Sequence, residues 1–176
     1  IVSTALFIPV VSSVVAVAIV WKYMYQPRYG LINYALESLN LPPVDWLHDS
    51  SVALWSVIIM TVWRDVGFYI IIFTAGLMGI PKTYYDAAQV DGASPIQCLR
   101  HVTLPLLSNT TFFNTVMAVI FGLKVFDQVW VLTKGGPGYG TRVVVLHLYE
   151  TAFKFYRLGE GTAIAFVLFA MILVLT

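Results

Sequence analysis

Between two long apolar runs the chain reads Pro81-Lys82-Thr83-Tyr84-Tyr85-Asp86-Ala87-Ala88-Gln89-Val90-Asp91-Gly92-Ala93-Ser94-Pro95-Ile96-Gln97-Cys98-Leu99-Arg100-His101-Val102-Thr103-Leu104-Pro105. Pro81 suits a first helical turn, where its missing N–H would be unpaired anyway, and Lys82 to Val90 then reads as a short helix. Asp91-Gly92 ends it, because glycine accepts the left-handed backbone common at a helix C-terminus. A second helix starts at once. Ser94 is its N-cap, Pro95 its first residue, and Gln97 completes a capping box. It is expected to run toward Val102 and to end before Leu104-Pro105. The pattern predicts a helix–turn–helix hairpin projecting from one side of a membrane. Its first arm sets two small residues, Ala87 and Ala88, beside one acid, Asp86. Such a surface permits close approach by another protein.

The flanking runs supply the membrane. Of the 176 residues, 59% are hydrophobic and 11% charged, with a mean hydropathy of +0.83. Soluble domains run about 45–50% apolar and ~25% charged, so this composition reads as an integral membrane protein. It excludes a disordered or nucleic-acid-binding chain, which would carry more charge and fewer aromatics. A spanning helix needs about 20 mostly apolar residues to cross about 30 Å of hydrocarbon. Four segments are expected, over about 1–25, 51–80, 106–132 and 162–176, as one all-α, polytopic helix bundle. The first is uncharged from Ile1 to Trp21 and ends in Trp21, Tyr23 and Tyr25, as an interfacial belt would. The last is too short to span unless the chain continues. With Ile1 inside an apolar run and no initial Met, the chain is expected to be trimmed at its start and near its end. Four helices do not easily enclose a pathway, so further helices or a partner subunit are expected. The single cysteine, Cys98, leaves the redox compartment open.

The connections are well punctuated. Pro27, Gly30, Pro42 and Pro43 mark a turn-rich link around a short polar–apolar stretch, Leu31 to Leu39. Lys134-Gly135-Gly136-Pro137-Gly138-Tyr139-Gly140 marks a tight loop. Val143 to Leu158 then follows a helical pattern, with His147, Glu150, Lys154 and Arg157 expected on one face and Glu150–Lys154 as an i,i+4 pair.

Asp86-Ala87-Ala88, three residues, Gly92, nine residues, then Val102-Thr103-Leu104-Pro105 resembles the EAA motif of ABC importer permeases. Asp86 stands for the usual Glu, Val102 for the usual Ile, and Leu99-Arg100 where an aromatic is common. The shorter acid reaches less far toward an Arg. In that family the loop is cytoplasmic and its short helix docks into a cleft on the ATP-hydrolysing subunit. By resemblance, Asp86, Ala87, Ala88, Asp91, Gly92 and Ala93 form the coupling surface. A second resemblance runs from Phe121 to Pro137, with Phe7-Ile8-Pro9, Ile19 to Lys22 and Tyr29 to Asn33. These stretches are similar to carbohydrate-type permeases of the maltose and glycerol-3-phosphate kind. The resemblance implies the last four helices of a six-helix core in a bacterial or archaeal cell membrane, the inner membrane in a diderm host. It also implies ATPase subunits that bind the ATP and Mg, a second and different permease, and an extracytoplasmic solute-binding protein. This chain would hold no cofactor and no metal.

Charge bias mildly opposes that orientation. The loop proposed as cytoplasmic carries Lys82 and Arg100, while the other side carries Arg142, Lys154 and Arg157. Ionisable residues inside a membrane are functional candidates by default. Arg64 and Asp65 are adjacent, point about 100° apart on a helix, and are expected to pair with other helices or with water. Lys124 and Asp127 are i,i+3 and are expected to meet. Asp127 and Gln128, beside Phe126 and Trp130, offer the acid, amide and flat aromatic faces that a sugar needs. The expected function is the transmembrane subunit of an ATP-driven sugar importer. The alternatives are another cargo, such as glycerol-3-phosphate, or a membrane enzyme. His48, His101 and His147 are scattered, and the sequence contains no Gly-x-x-x-x-Gly-Lys-Ser/Thr, His-Glu-x-x-His or Gly-x-Ser-x-Gly pattern.

Overall fold

The computed structural model describes residues 2–176, with side chains described from residue 7 onward. Among the described residues all regular structure is helical. The stretch expected as one span over 1–25 is instead two helices, α1 (Val2–Val11) and α2 (Val14–Met24), and Ile1 lies outside the described residues. Two local causes act at the break. Pro9 removes a backbone donor inside α1. Ser12 Oγ donates to the Ile8 carbonyl at 3.0 Å, and Ser13 turns to an extended ψ of 128°.

A short α3 (Leu31–Ser38) precedes the long α4 (Ala53–Met78), whose 26 residues make about 39 Å at 1.5 Å per residue. The hairpin follows, and then α8 (Ser108–Leu123), α9 (Asp127–Leu132), α10 (Val144–Tyr149) and α11 (Leu158–Leu175). Among the described residues, three helices are long and apolar enough to cross a membrane: α4, α8 with α9 taken as one run, and α11. The last begins four residues before its expected start at 162, because Gly159 and Glu160 join its first turn. Small residues let these helices close up. A Cβ on Gly76 of α4 would lie 2.6 Å from Thr110 Oγ1 of α8, and one on Gly161 would lie 2.6 Å from the Ala152 Cβ.

The region after α10 differs from the single helix expected over 143–158. The backbone winds as a π-turn over Glu150–Lys154 and stops at Tyr156, whose φ is +55°. The wider turn carries Arg157 off the shared face, and it pairs with Glu160 of α11. Glu150 and Lys154 meet as expected, at 3.2 Å.

At the end of the bundle away from the hairpin, a buried polar chain fastens the links between helices. Asn33 uses its whole amide there. Its Nδ2 donates to the carbonyls of Pro27 and Val44, and its Oδ1 accepts from Val44 N–H and Trp46 Nε1. Ser56 Oγ donates to the Trp46 carbonyl at 2.7 Å, and Tyr25 OH donates to the Ser56 carbonyl at 2.8 Å. Around this chain, Trp21, Tyr25, Val57, Met60, Val129 and Leu146 form the main buried cluster.

Candidate functional site

Helix α4 carries a stripe of polar and aromatic residues at helical spacing: Thr61, Arg64, Asp65, Phe68 and Tyr69. Facing it are two interruptions of helix. One is the α1–α2 break, flanked by Val10 and Val14. The other separates α8 from α9 at Lys124–Phe126, where Phe126 takes φ −145° and ψ −60°. A single cavity of about 670 Å³ lies against all of these, closed further by Ala118, Phe121 and Gly122 of α8. Irregular backbone inside a membrane protein is tolerated where it is buried or lines a water-filled space, because its free polar groups need partners. The volume falls in the range of small-molecule sites, about 300–1,000 Å³.

The cavity brings together Arg64, Asp65, Phe126, Asp127 and Gln128. Arg64 and Asp65 do not each seek another helix; Arg64 Nε donates to Asp65 Oδ1 at 2.6 Å. Long side chains bridge the angle between adjacent positions that separates their Cβ atoms. Arg64 Nη1 stays buried without a protein partner. The i,i+3 pairing expected for Lys124 and Asp127 does not form, because the helix breaks between them; both line the cavity instead. Trp130 stands outside the lining. It stacks on Phe126 at 5.9 Å and 16°, and meets Tyr149 edge-on at 5.3 Å. Thr61, Tyr69 and Lys124 were not expected as cavity residues, although the spacing from Thr61 to Tyr69 is a helical stripe legible in the sequence.

At the far end, α5 (Lys82–Val90) is followed by Gly92 with φ +75°, then by α6 (Pro95–Cys98). The capping box is complete: Gln97 N–H donates to Ser94 Oγ, and Ser94 N–H donates to Gln97 Oε1. Asp86, Ala87, Asp91 and Gly92 are exposed, and Ala88 and Ala93 half-buried, so the six residues lie on an accessible face. Helix does not end before Leu104-Pro105. It continues as a π-turn over Leu99–Thr103 into α7 (Leu104–Leu106), with Leu104 N–H donating to the Leu99 carbonyl.

The Gly-Gly-Pro loop after α9 is held by ions. Arg142 Nη2 lies 2.6 Å from Glu150 Oε2, and its guanidinium sits 4.9 Å from the Tyr139 ring centre. Burial disfavours the charged Glu150, but Lys154 and Arg142 outweigh it and hold the carboxyl below its usual range. A depressed folded value means that the unfolded chain binds protons more readily. The contact therefore stabilises above about pH 4.3, the ordinary glutamate value, and is lost as pH falls further. Glu150→Gln is expected to cost about 2 kcal/mol at pH 7 and nearly nothing once both forms are neutral. Thermal scans of the two proteins at pH 7 and in steps down through the carboxylate range check this, the difference between them narrowing as pH falls.

Among the described residues, no group of three or more His, Cys, Asp or Glu is placed to hold a metal ion. Against known proteins, a family model described as binding-protein-dependent transport system inner membrane component matches residues 1–176. The chain is 38% identical over 159 residues to the trehalose/maltose transport system permease protein MalF of Thermococcus litoralis, covering 89% of this chain and 52% of that one. It is 36% identical over 173 residues to a probable ABC transporter permease protein of Pyrococcus horikoshii, covering 97% and 59%. With the arabinooligosaccharides transport system permease protein AraP of Bacillus subtilis the identity is 31% over 175 residues, covering 98% and 56%. A chain in the crystal structure of a bacterial alginate ABC transporter, solved with an alginate pentasaccharide-bound periplasmic protein, matches with a TM-score of 0.89. That match is 28% identical and covers 99% of this chain and 61% of the other. The chain thus spans between half and two thirds of the length of these relatives.

Proposed function

We propose that this chain, which belongs to the family of binding-protein-dependent transport system inner membrane components, is the membrane-spanning part of an ATP-driven carbohydrate importer. One observation carries the reading. A cavity flanked by two helix breaks and lined by acid, amide, base and aromatic groups lies within the bundle, while a protruding hairpin with an open small-residue face lies at one end. Relatives named for trehalose/maltose and for arabinooligosaccharides support a sugar cargo.

In this reading ATP and Mg are bound by separate ATPase subunits, and the hairpin from Pro81 to Pro105 docks on them. Closure of the ATPase pair draws on the hairpin, and the helices around the cavity shift between openings to the two sides. A second, different permease completes the pathway, and an extracytoplasmic binding protein delivers the sugar. The cavity lining carries two bases, Arg64 and Lys124, against two acids, Asp65 and Asp127. That balance suits a neutral sugar better than a phosphate dianion, which would call for excess positive charge.

The test is co-purification of the full-length permease with its co-expressed ATPase, wild type against Gly92→Trp. A Cβ at Gly92 meets nothing within 4 Å, so the indole projects into open space, and the strain of the left-handed φ of +75° is matched by a Gly92→Ala control, which should keep the ATPase. Wild type should retain the ATPase and the variant should lose at least about tenfold in occupancy. Equal occupancy in both would remove the hairpin face as the docking surface.

A further inference from the structure

The hairpin's two arms are joined by one side-chain bond that motif reading does not single out. Helix α5 has no buried residue, and Val90 at its end is 88% exposed. In the second arm, by contrast, Thr103 is buried to 8% exposure. Its Oγ1 lies 3.0 Å from Tyr85 OH, across 18 residues of chain, and 3.5 Å from the Cys98 carbonyl. The threonine has one proton to give. With it directed at the Cys98 carbonyl, the oxygen accepts from Tyr85.

The π-turn is what presents Thr103 to Tyr85. Its defining bond, Leu104 N–H to the Leu99 carbonyl, spans five residues rather than four. Winding the same residues as α-helix would turn Thr103 by about 100° for each residue of register gained, away from α5. Directly beyond the turn lie α7 and α8, and α8 supplies the cavity residues Ala118, Phe121 and Gly122. The Gly92 turn itself is closed onto α5, with Gly92 N–H donating to the Gln89 carbonyl at 3.0 Å and Ala93 N–H to the Ala88 carbonyl at 2.9 Å, so a displacement of α5 carries that turn with it and reaches the cavity through the second arm and its π-turn.

We propose that the Tyr85–Thr103 hydroxyl pair, presented by the π-turn at Leu99–Thr103, is the positioning contact that makes α5 move as one body with α8. The proposal rests on the reading of the hairpin as the ATPase-docking element. Neither residue touches substrate. Without the bond, α5 and the Gly92 turn closed onto it tilt against the second arm, and ATPase closure is absorbed in the hairpin instead of reaching the cavity.

The experiment uses the full-length permease with its co-expressed ATPase in lipid nanodiscs. Cys98 and every other cysteine of the permease and its ATPase are replaced by serine, and Val66→Cys in the cavity wall then gives a single site for a membrane-impermeant maleimide. Labelling rate is measured without nucleotide and after trapping with ATP, Mg and vanadate, beside the ATPase occupancy of each preparation. Wild type should show a trapping-dependent change in rate. Thr103→Val, which keeps the shape and removes the hydroxyl, should shrink that change at least threefold at unchanged occupancy. Tyr85→Phe should do the same, the double variant should be no worse than either single, and Thr103→Ser should restore the full change. Full changes in both Thr103→Val and Tyr85→Phe overturn the proposal. Lost occupancy in the variants overturns it as well, since the pair then serves docking rather than transmission. If the wild-type preparation carries no ATPase, the functional reading itself fails, and the proposal with it.

Discussion

Sugar uptake is expected to fall about tenfold or more when Asp127 is replaced by alanine, while ATPase occupancy stays at the wild-type level. The residue stands where α8 has stopped and α9 has not yet turned once, so its carboxylate enters the cavity instead of running along a helix wall. Hydrogen bonds to a charged group contribute about 1.5–3 kcal/mol, or roughly ten- to a hundredfold in affinity. Asp127 lies in the cavity lining and the docking face lies at the hairpin, so the loss should appear in substrate affinity and not in complex assembly. Asp127→Asn, which keeps an acceptor and the size, should retain more uptake than alanine. Transport assays with labelled di- and trisaccharides in proteoliposomes decide the matter. Normal uptake in the alanine variant would exclude Asp127 from the pathway.

What was legible in the sequence was local. Pro81, Gly92, Ser94 and Gln97 fix the start, the turn and the second start of the hairpin from within four residues of each event, and the structure repeats those features. The cavity depends on events without a local signature. Nothing in Lys124-Val125-Phe126 is a turn residue, yet the helix breaks there; the α1–α2 break follows from Pro9 and two serines inside an otherwise continuous apolar run. Hydropathy counts such runs as single spans, because it measures transfer from water and is blind to backbone direction. The Arg64–Asp65 bond escaped for a related reason. Helical periodicity places Cβ atoms, whereas long side chains reach around the helix to meet. The π-turn at Leu99–Thr103 escaped because winding by five rather than four is set by what Thr103 and Pro105 must satisfy, not by propensity.

A single methyl group at Gly30 is expected to destabilise the protein more than one at any exposed turn. Gly30 precedes α3 with an ordinary φ of −72°, so backbone freedom is not what glycine supplies there. Space is. A Cβ would run into the carbonyl oxygens of Gln26 and Met24 and lie 2.8 Å from Gln26 N, all backbone atoms that cannot swing aside. The chain must then shift, and the shift moves α3 with Asn33. From Asn33 the disturbance passes to Trp46, from Trp46 to Ser56, and from Ser56 to Tyr25, each joined to the next by a hydrogen bond. Loss of part of that buried chain, added to the overpacking, should cost about 3 kcal/mol or more in Gly30→Ala. Gly92→Ala is the matched control. It places the same methyl group in open space and meets only the strain of a left-handed φ, about 1 kcal/mol. Thermal unfolding of the two variants in one detergent should therefore separate them clearly, with Gly30→Ala melting well below Gly92→Ala. Equal melting temperatures would mean that the Gln26–Gly30 turn yields without cost, and that the polar chain from Asn33 to Tyr25 does not hold this end of the bundle.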